Sequence, residues 1–394
     1  MIVERDISQL SVGMYIVDIS FPKDRFRLSS QGWVEDERII NALKAKGVER
    51  LLIDTAKSRL VGKSVTRPEK RQSPPPNSRF FSSELVKAKQ VFEESKSIQQ
   101  KIFHDAKNGV PLNLAPVKAV TEQSIDLIFD NPDALACVLN IRHKDQYLLE
   151  HSVAVSVLMS IFAFYLKIDK EIVHHLAIGA FLHDVGKIMI PEHILNKPGK
   201  LTDDEFAIMK THATHSIRTI KNTPNISSLS LEVARLHHEK LNGKGYPNGL
   251  PEREISTYGR MIAICDIFDA LTSTRCYKSG YPQVKAFSIL RVLAKNNELD
   301  VQLVDYFIKC MGVYPVGSVV QLESNRLAIV ERHNTEDPIR PTVRPFYVLN
   351  PDHFEACHHI DLATAADDLI VKCVRADDFN LNMDEIIEFL SHQG

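Results

Sequence analysis

The sequence predicts a mainly α fold, a helical bundle flanked by a small N-terminal α/β domain and a β-rich C-terminal extension. Three observations carry that class. Between 131 and 312 side chains of like character recur at helical spacing, as in the stripe His151, Ala154, Val155, Leu158 and Phe162. Ahead of this region one amphipathic helix lies between two strand-like runs, and beyond Val316 the pattern shortens to strand-like segments. At 394 residues the chain is also too long for one ordinary core, so two or three domains are expected.

Taken in order, residues 1–62 form the small α/β domain. Stretches 14–19 and 49–54 read as strands, and 36–46 as a helix with Ile39, Ile40 and Leu43 inward and Gly47 at its C-cap. Residues 63–82 are rich in Lys, Arg and Ser, contain Pro74-Pro75-Pro76 and lack apolar periodicity, so they read as a solvated linker. Residues 83–130 form a lead-in helical region with one charged face, able to pair with a partner.

The bundle spans 131–312. Thr202 with Glu205 is a capping-box start for a helix running through His212, whose stripe includes Phe206, Met209, Ala213, Ile217 and Ile220. Val233, Leu236 and His237 share a face, as do Ile262, Asp266 and Asp269. The apolar run 153–166, about 14 residues with Ser156 and Ser160 inside it, is too short to span a bilayer and reads as a buried helix. Residues 313–394 form the extension, with strands near 316–322, 327–332, 344–349 and 369–374 and a short helix near 383–390.

A formal charge of −2 gives no reason to expect DNA binding. Cys137, Cys265, Cys276, Cys310, Cys357 and Cys373 form no CxxC, and read as reduced thiols of a cytoplasmic protein. Charges at Glu4, Arg5 and Asp6 do not open like a signal peptide.

The chemistry gathers around His183–Asp184, inside Phe181-Leu182-His183-Asp184-Val185-Gly186-Lys187. His151 stands upstream; His212, His237–His238 and Asp266 stand downstream, each in a helical segment. Burying so many polar groups is costly unless they satisfy one another or a metal. Imidazole and carboxylate on successive helices suit two divalent transition metals in a bundle core. Without thiolate the set favours iron or manganese, with zinc, nickel, cobalt or magnesium as alternatives. Cys265 points about 100° away from Asp266 on a helix and is not counted. His174, His175, His193, His215, His358 and His359 have no matching carboxylates and read as ordinary histidines.

Directly after the doublet comes Gly243-Lys244-Gly245-Tyr246-Pro247, and with these intervals residues 140–285 resemble the HD-GYP phosphodiesterases that cut cyclic dinucleotides. The bundle is then of HD type, and residues 1–62 resemble the domain of unknown function often placed ahead of it. The resemblance implies that His151, His183, Asp184, His212, His237, His238 and Asp266 bind metal, with Asp184 as the bridge. It implies a metal-bridging hydroxide attacking phosphorus in line, with the ribose 3′ oxygen leaving and Lys187 stabilising the phosphate. Gly243 and Gly245 would allow close approaches, and Tyr246, Asp269, Arg275 and Lys278 would contact substrate. Tyr147 stands where some relatives have a third-metal carboxylate, so two metals are expected, with Glu150 the lesser substitute. Cys276-Tyr277 replaces the Pro-Tyr of many relatives.

The expected activity is hydrolysis of cyclic di-GMP to linear pGpG, and onward to GMP, in a bacterial cytoplasm. Cyclic GMP–AMP (3′3′-cGAMP) is the alternative substrate, a non-catalytic nucleotide-binding adaptor the alternative class, and a dNTP or linear-nucleotide hydrolase the remote one. A homodimer or a signalling partner would use the N-terminal domain or the lead-in helix.

Overall fold

Arg50–Asp54, the most buried strand of the N-terminal unit, shows how the first sheet is built. The computed structural model describes residues 2–12, 14–21, 32–34, 37–45, 47–54, 78–141, 147–273, 280–334, 336–365 and 368–391. It divides into two units, Met1–Pro75 and Pro76–Gly394. In the first, β1 (Ile2–Asp6), β2 (Tyr15–Phe21), β3 (Gly32–Trp33) and β4 (Arg50–Asp54) pair antiparallel in the order β1-β4-β2-β3, with α1 (Glu37–Ala45) between β3 and β4 in sequence. Leu51 and Ile53 alternate onto one face, a register shift between Ile16 and Asp18 lets both Ile16 and Ile19 pair opposite them, and the four meet Ile40. Ile39, expected inward, is exposed, because one residue of helix turns the side chain about 100° from Ile40. Gly47 N–H bonds Lys44 O at 2.9 Å and Val48 N–H bonds Leu43 O at 3.1 Å, the paired closure of a Schellman C-cap. The linker expectation lies outside the described residues as far as 77.

The second unit opens with α2 (Ser78–Lys107), α3 (Leu114–Asp130), α4 (Pro132–Ile141), α5 (Tyr147–Tyr165) and α6 (Lys170–Leu182). It continues through α7 (Glu192–Leu195), α8 (Asp203–Lys221), α9 (Ser228–Leu236), α10 (Thr257–Thr272), α11 (Gln283–Lys295) and α12 (Val301–Met311). The lead-in region is therefore two helices. Ala88, Phe92, Ile102 and Phe103 of α2 join the same core as α5 and α10, so this apolar face is covered within the unit.

α5 is the central helix. Its window Leu148–Tyr165 has 18 residues at a mean hydropathy of 1.6, longer than the sequence reading allowed, so length and composition alone would let it span a membrane. That window is 78% buried, with α2, α3, α4, α6, α10 and α12 packed around it, as a core helix that is apolar all round must be. α8 starts as expected: Thr202 Oγ1 accepts from Glu205 N at 3.2 Å, and Glu205 accepts from Thr202 N at 2.7 Å. Its inward stripe is His212, Ala213, Ser216 and Ile220, and Phe206 lies exposed.

The extension supplies β5 (Val319–Leu322), β6 (Arg326–Arg332), β7 (Thr342–Leu349), β8 (Asp352–Phe354), β9 (Ile360–Asp361), β10 (Ile370–Val374) and α13 (Met383–Ser391). The order is β10-β5-β6-β7-β8, antiparallel, with β9 on β7. Alternation divides its side chains. Val320, Leu322, Ala328 and Val330 join the bundle core, whereas Val319, Leu327 and Ile329 pack with Ile386 of α13.

Candidate metal centre

His183 caps the C-terminus of α6, and Asp184 follows in the turn leading to a 3-10 segment, Val185–Met189. That turn lies hard against α8. A Cβ on Gly186 would overlap the carbonyl of His212 and the Ser216 backbone, and Gly186 N–H donates to Ser216 Oγ at 2.8 Å. The close approach brings Asp184 beside His212. α5 contributes His151, α10 contributes Asp266, and His237 is the C-cap residue of α9.

Their ligand atoms form two groups, each within 4.8 Å: His151, His183 and Asp266 in one, Asp184, His212, His237 and His238 in the other. Asp184 faces both. Its Oδ2 lies 3.4 Å from His151 Nε2 and 3.3 Å from His183 Nε2, while its Oδ1 lies 3.3 Å from His212 Nε2 and 3.9 Å from His237 Nε2. Asp266 does likewise, with Oδ1 3.0 Å from His151 Nε2 and Oδ2 3.3 Å from His238 Nδ1.

The outward ring nitrogens are held. Nδ1 of His183, His212 and His237 lies 2.6, 2.7 and 2.5 Å from the carbonyls of Ala180, Met209 and Ala234, each three residues back. Nδ1 of His151 lies 2.7 Å from Asp269 Oδ2. These acceptors fix the proton on Nδ1, leaving the Nε2 lone pairs aimed inward. His183 Nε2 and Asp184 Oδ1 are buried with no hydrogen-bond partner. Such orphaned atoms are costly, and a cation among them removes the cost. The donor set fits metal ions.

Electrostatics agree with ligation. Burial first, then neighbouring imidazoles, pull His237 down to about 3 and His238 well below the usual imidazole range, so both rings are neutral at pH 7. Burial also leads in lowering His212. Burial on its own would raise Asp184 and Asp266. For Asp184 chiefly the Lys187 charge outweighs it, for Asp266 chiefly the His151 hydrogen bond, and both carboxyls are held below the usual range.

Around this cluster the other expected residues separate. Lys187 donates to Asp184 Oδ2. Tyr246 lies over His238 with ring centroids 4.5 Å apart, and burial followed by the Asp266 and Asp184 charges raises its phenol above the ordinary value. Gly243 adopts φ +73°, and a Cβ on Gly245 would overlap Lys240 N. Asp269, expected from sequence to contact substrate, is 2% exposed and bonds His151 and Ser273. Arg275 and Lys278, with Cys276 and Tyr277, lie outside the described residues. Glu150 meets Lys96 Nζ at 3.1 Å, and Tyr147 opens α5. None of the six ordinary histidines belongs to either group among the described residues.

Sequence reasoning missed Glu239, a buried carboxylate next to the doublet, and Phe206, whose exposed ring lies 6.4 Å from Tyr246. Its stripe position put Phe206 in the core; for Glu239 the signal available was a carboxylate adjoining two metal-type histidines.

Comparison with known proteins agrees with this architecture. An HD domain matches residues 136–303, and a domain of unknown function (DUF3391) matches 2–117. The cyclic di-GMP phosphodiesterase PA4108 of Pseudomonas aeruginosa is 30% identical over 391 residues, 96% of this chain and 94% of that one. A cyclic di-GMP phosphodiesterase of Thermotoga maritima is 36% identical over 50% of this chain and 56% of its own length. The 3′3′-cGAMP-specific phosphodiesterase 1 of Vibrio cholerae is 31% identical over 58% of this chain and 53% of its own. With an end-to-end relative, an HD-domain match and the histidine cluster in place, the chain belongs to the HD-GYP family of HD-domain cyclic dinucleotide phosphodiesterases.

Proposed function

We propose that this protein is a cytoplasmic two-metal enzyme that hydrolyses cyclic di-GMP to linear pGpG, and onward to GMP. The observation that carries the reading is Asp184, whose two oxygens face two separate groups of donors. Imidazole and carboxylate without thiolate suit iron or manganese, and Cys265 is in neither group. When bound, such ions supply a nucleophile at neutral pH and polarise the phosphoryl oxygens.

The chain's own residues do the rest. Neutral rings offer Nε2, and Asp184 and Asp266 bring the negative charge that two cations need. Lys187 and His238 keep side-chain exposures of 15% and 20%, against 0–7% for the other donors, so substrate reaches the cluster past them. There the Lys187 ammonium can turn from Asp184 to a phosphate oxygen, and Tyr246 can pack against a nucleotide. Gly243 and Gly245 set the loop that carries Tyr246. Arg275 and Lys278 complete the proposed substrate contacts, the guanidinium suiting a phosphate oxygen pair or the O6/N7 edge of guanine.

Cyclic GMP–AMP is the second reading, favoured by the likeness to the Vibrio cholerae enzyme named for it; the two substrates differ at one base. The complete donor set favours hydrolysis over a silent adaptor. The test is chromatography of products from both dinucleotides, incubated side by side with protein loaded with Mn²⁺ or Fe²⁺. Conversion of cyclic di-GMP to pGpG supports the reading, preferential loss of cyclic GMP–AMP transfers it to the second substrate, and two intact substrates refute it.

A further inference from the structure

Glu239 follows the His237–His238 doublet, is 2% exposed, and belongs to neither donor group. A buried carboxylate needs partners. This one accepts two backbone N–H groups from the far limb of the glycine loop, Asn248 N on Oε1 at 2.8 Å and Leu250 N on Oε2 at 2.9 Å. Between Glu239 and those anchors the chain doubles back onto Glu239 itself. A Cβ on Gly245 would overlap the Lys240 nitrogen and the Glu239 backbone, and Tyr246 N–H bonds His238 O at 3.1 Å. The loop is thus tied at both limbs, and the tie leaves the Tyr246 ring 4.5 Å from His238 and 6.2 Å from His212.

We infer that Glu239 is a positioning residue for substrate binding: it holds the 243–250 loop so that Tyr246 is presented at the edge of the metal cluster. The inference rests on the phosphodiesterase reading above. Glutamine at this position keeps the size but replaces one acceptor oxygen by an NH₂ group, which opposes an N–H donor and breaks one of the two bonds to the far limb. Aspartate keeps the charge but falls a methylene short of both donors.

The test compares Glu239→Gln and Glu239→Asp with wild type on cyclic di-GMP and on bis(p-nitrophenyl) phosphate, a small diester with no nucleotide to meet Tyr246. Metal content is measured in parallel. The expected result is a KM for the cyclic dinucleotide raised about tenfold or more, with metal content and small-diester kcat/KM close to wild type. Glu239→Gln added to Tyr246→Ala should raise KM no further, because the carboxylate acts through that ring. An unchanged KM in both variants, additive effects, or a joint loss of both activities with metal or folded state would each overturn the inference. Wild-type protein that leaves the cyclic dinucleotide intact overturns the phosphodiesterase reading and this inference with it, whereas a cleaving wild type beside unaffected variants overturns the inference alone.

Discussion

His151 is gripped at both ring edges from one face of α10. Asp266 Oδ1 lies 3.0 Å from Nε2, and Asp269 Oδ2, three residues on, lies 2.7 Å from Nδ1. Groups that orient a metal-binding imidazole typically contribute 10- to 100-fold in metal affinity. Asp269→Ala is therefore expected to weaken metal binding by about 10- to 100-fold while leaving the KM of metal-saturated enzyme near wild type. Competition with a chromophoric chelator checks the first part and steady-state kinetics the second; intact affinity with a raised KM would return Asp269 to substrate contact. The seven residues that meet here were singled out in the sequence by residue type and spacing, and helical phase bears only on His151, His212 and Asp266, since His183, Asp184, His237 and His238 lie at or beyond helix ends. The partner of Asp269 was not legible in the sequence. Spacing showed that Asp266 and Asp269 share a face, but His151 is 118 residues from Asp269 and only packing pairs them.

At the scale of elements, the ends of helices were easier to read than their faces. The α8 capping box depends on residues three apart, and local sequence contains both partners. Phe206 was misplaced because its stripe position says nothing of whether a neighbouring element covers the first turn of α8. α2 is the more consequential case. Lys96 on this helix meets Glu150, whose side chain is 6% exposed and adjoins His151. Removing the cation leaves a buried carboxylate short of a partner, which typically costs about 1–3 kcal/mol. Lys96→Met is expected to lower the unfolding free energy by that amount in urea titrations, with metal content unchanged. A loss below about 0.5 kcal/mol would mark the pair as no better than a surface ion pair. β8 and β9, of three and two residues, carry too few positions for a period-2 pattern to appear in sequence.

Across the second unit, apolar alternation, hydrogen bonds such as Ser318 to Gln283 and a titrating pair join the extension to the bundle. His333, just after β6, lies 3.1 Å from Asp133 of α4, and this hydrogen bond, working against burial, raises the imidazole above its ordinary 6.5. A raised folded-state pKa means the pair stabilises fully below about pH 6.5, where both states are protonated, and loses that contribution as pH climbs through the folded value. The stability difference between wild type and His333→Gln should then be larger at acidic than at alkaline pH, as read by denaturation at each. A difference that grows with pH would contradict the assignment. The arrangement of three regions followed from periodicity, and so did the burial of α5, although its 18-residue apolar window is long enough for a membrane span and length alone would not have decided it. What covers it is contributed by six other helices, which no local pattern reveals.

The proposed chemistry requires Asp184 to hold two cations between its oxygens. Elemental analysis of anaerobically prepared wild-type protein, with Asp184→Ala beside it, tests this most directly. Two metals per wild-type chain, and fewer with loss of turnover in Asp184→Ala, are the expected result. One or three per active wild-type chain, or an Asp184→Ala protein that keeps both metals and its activity, would contradict it.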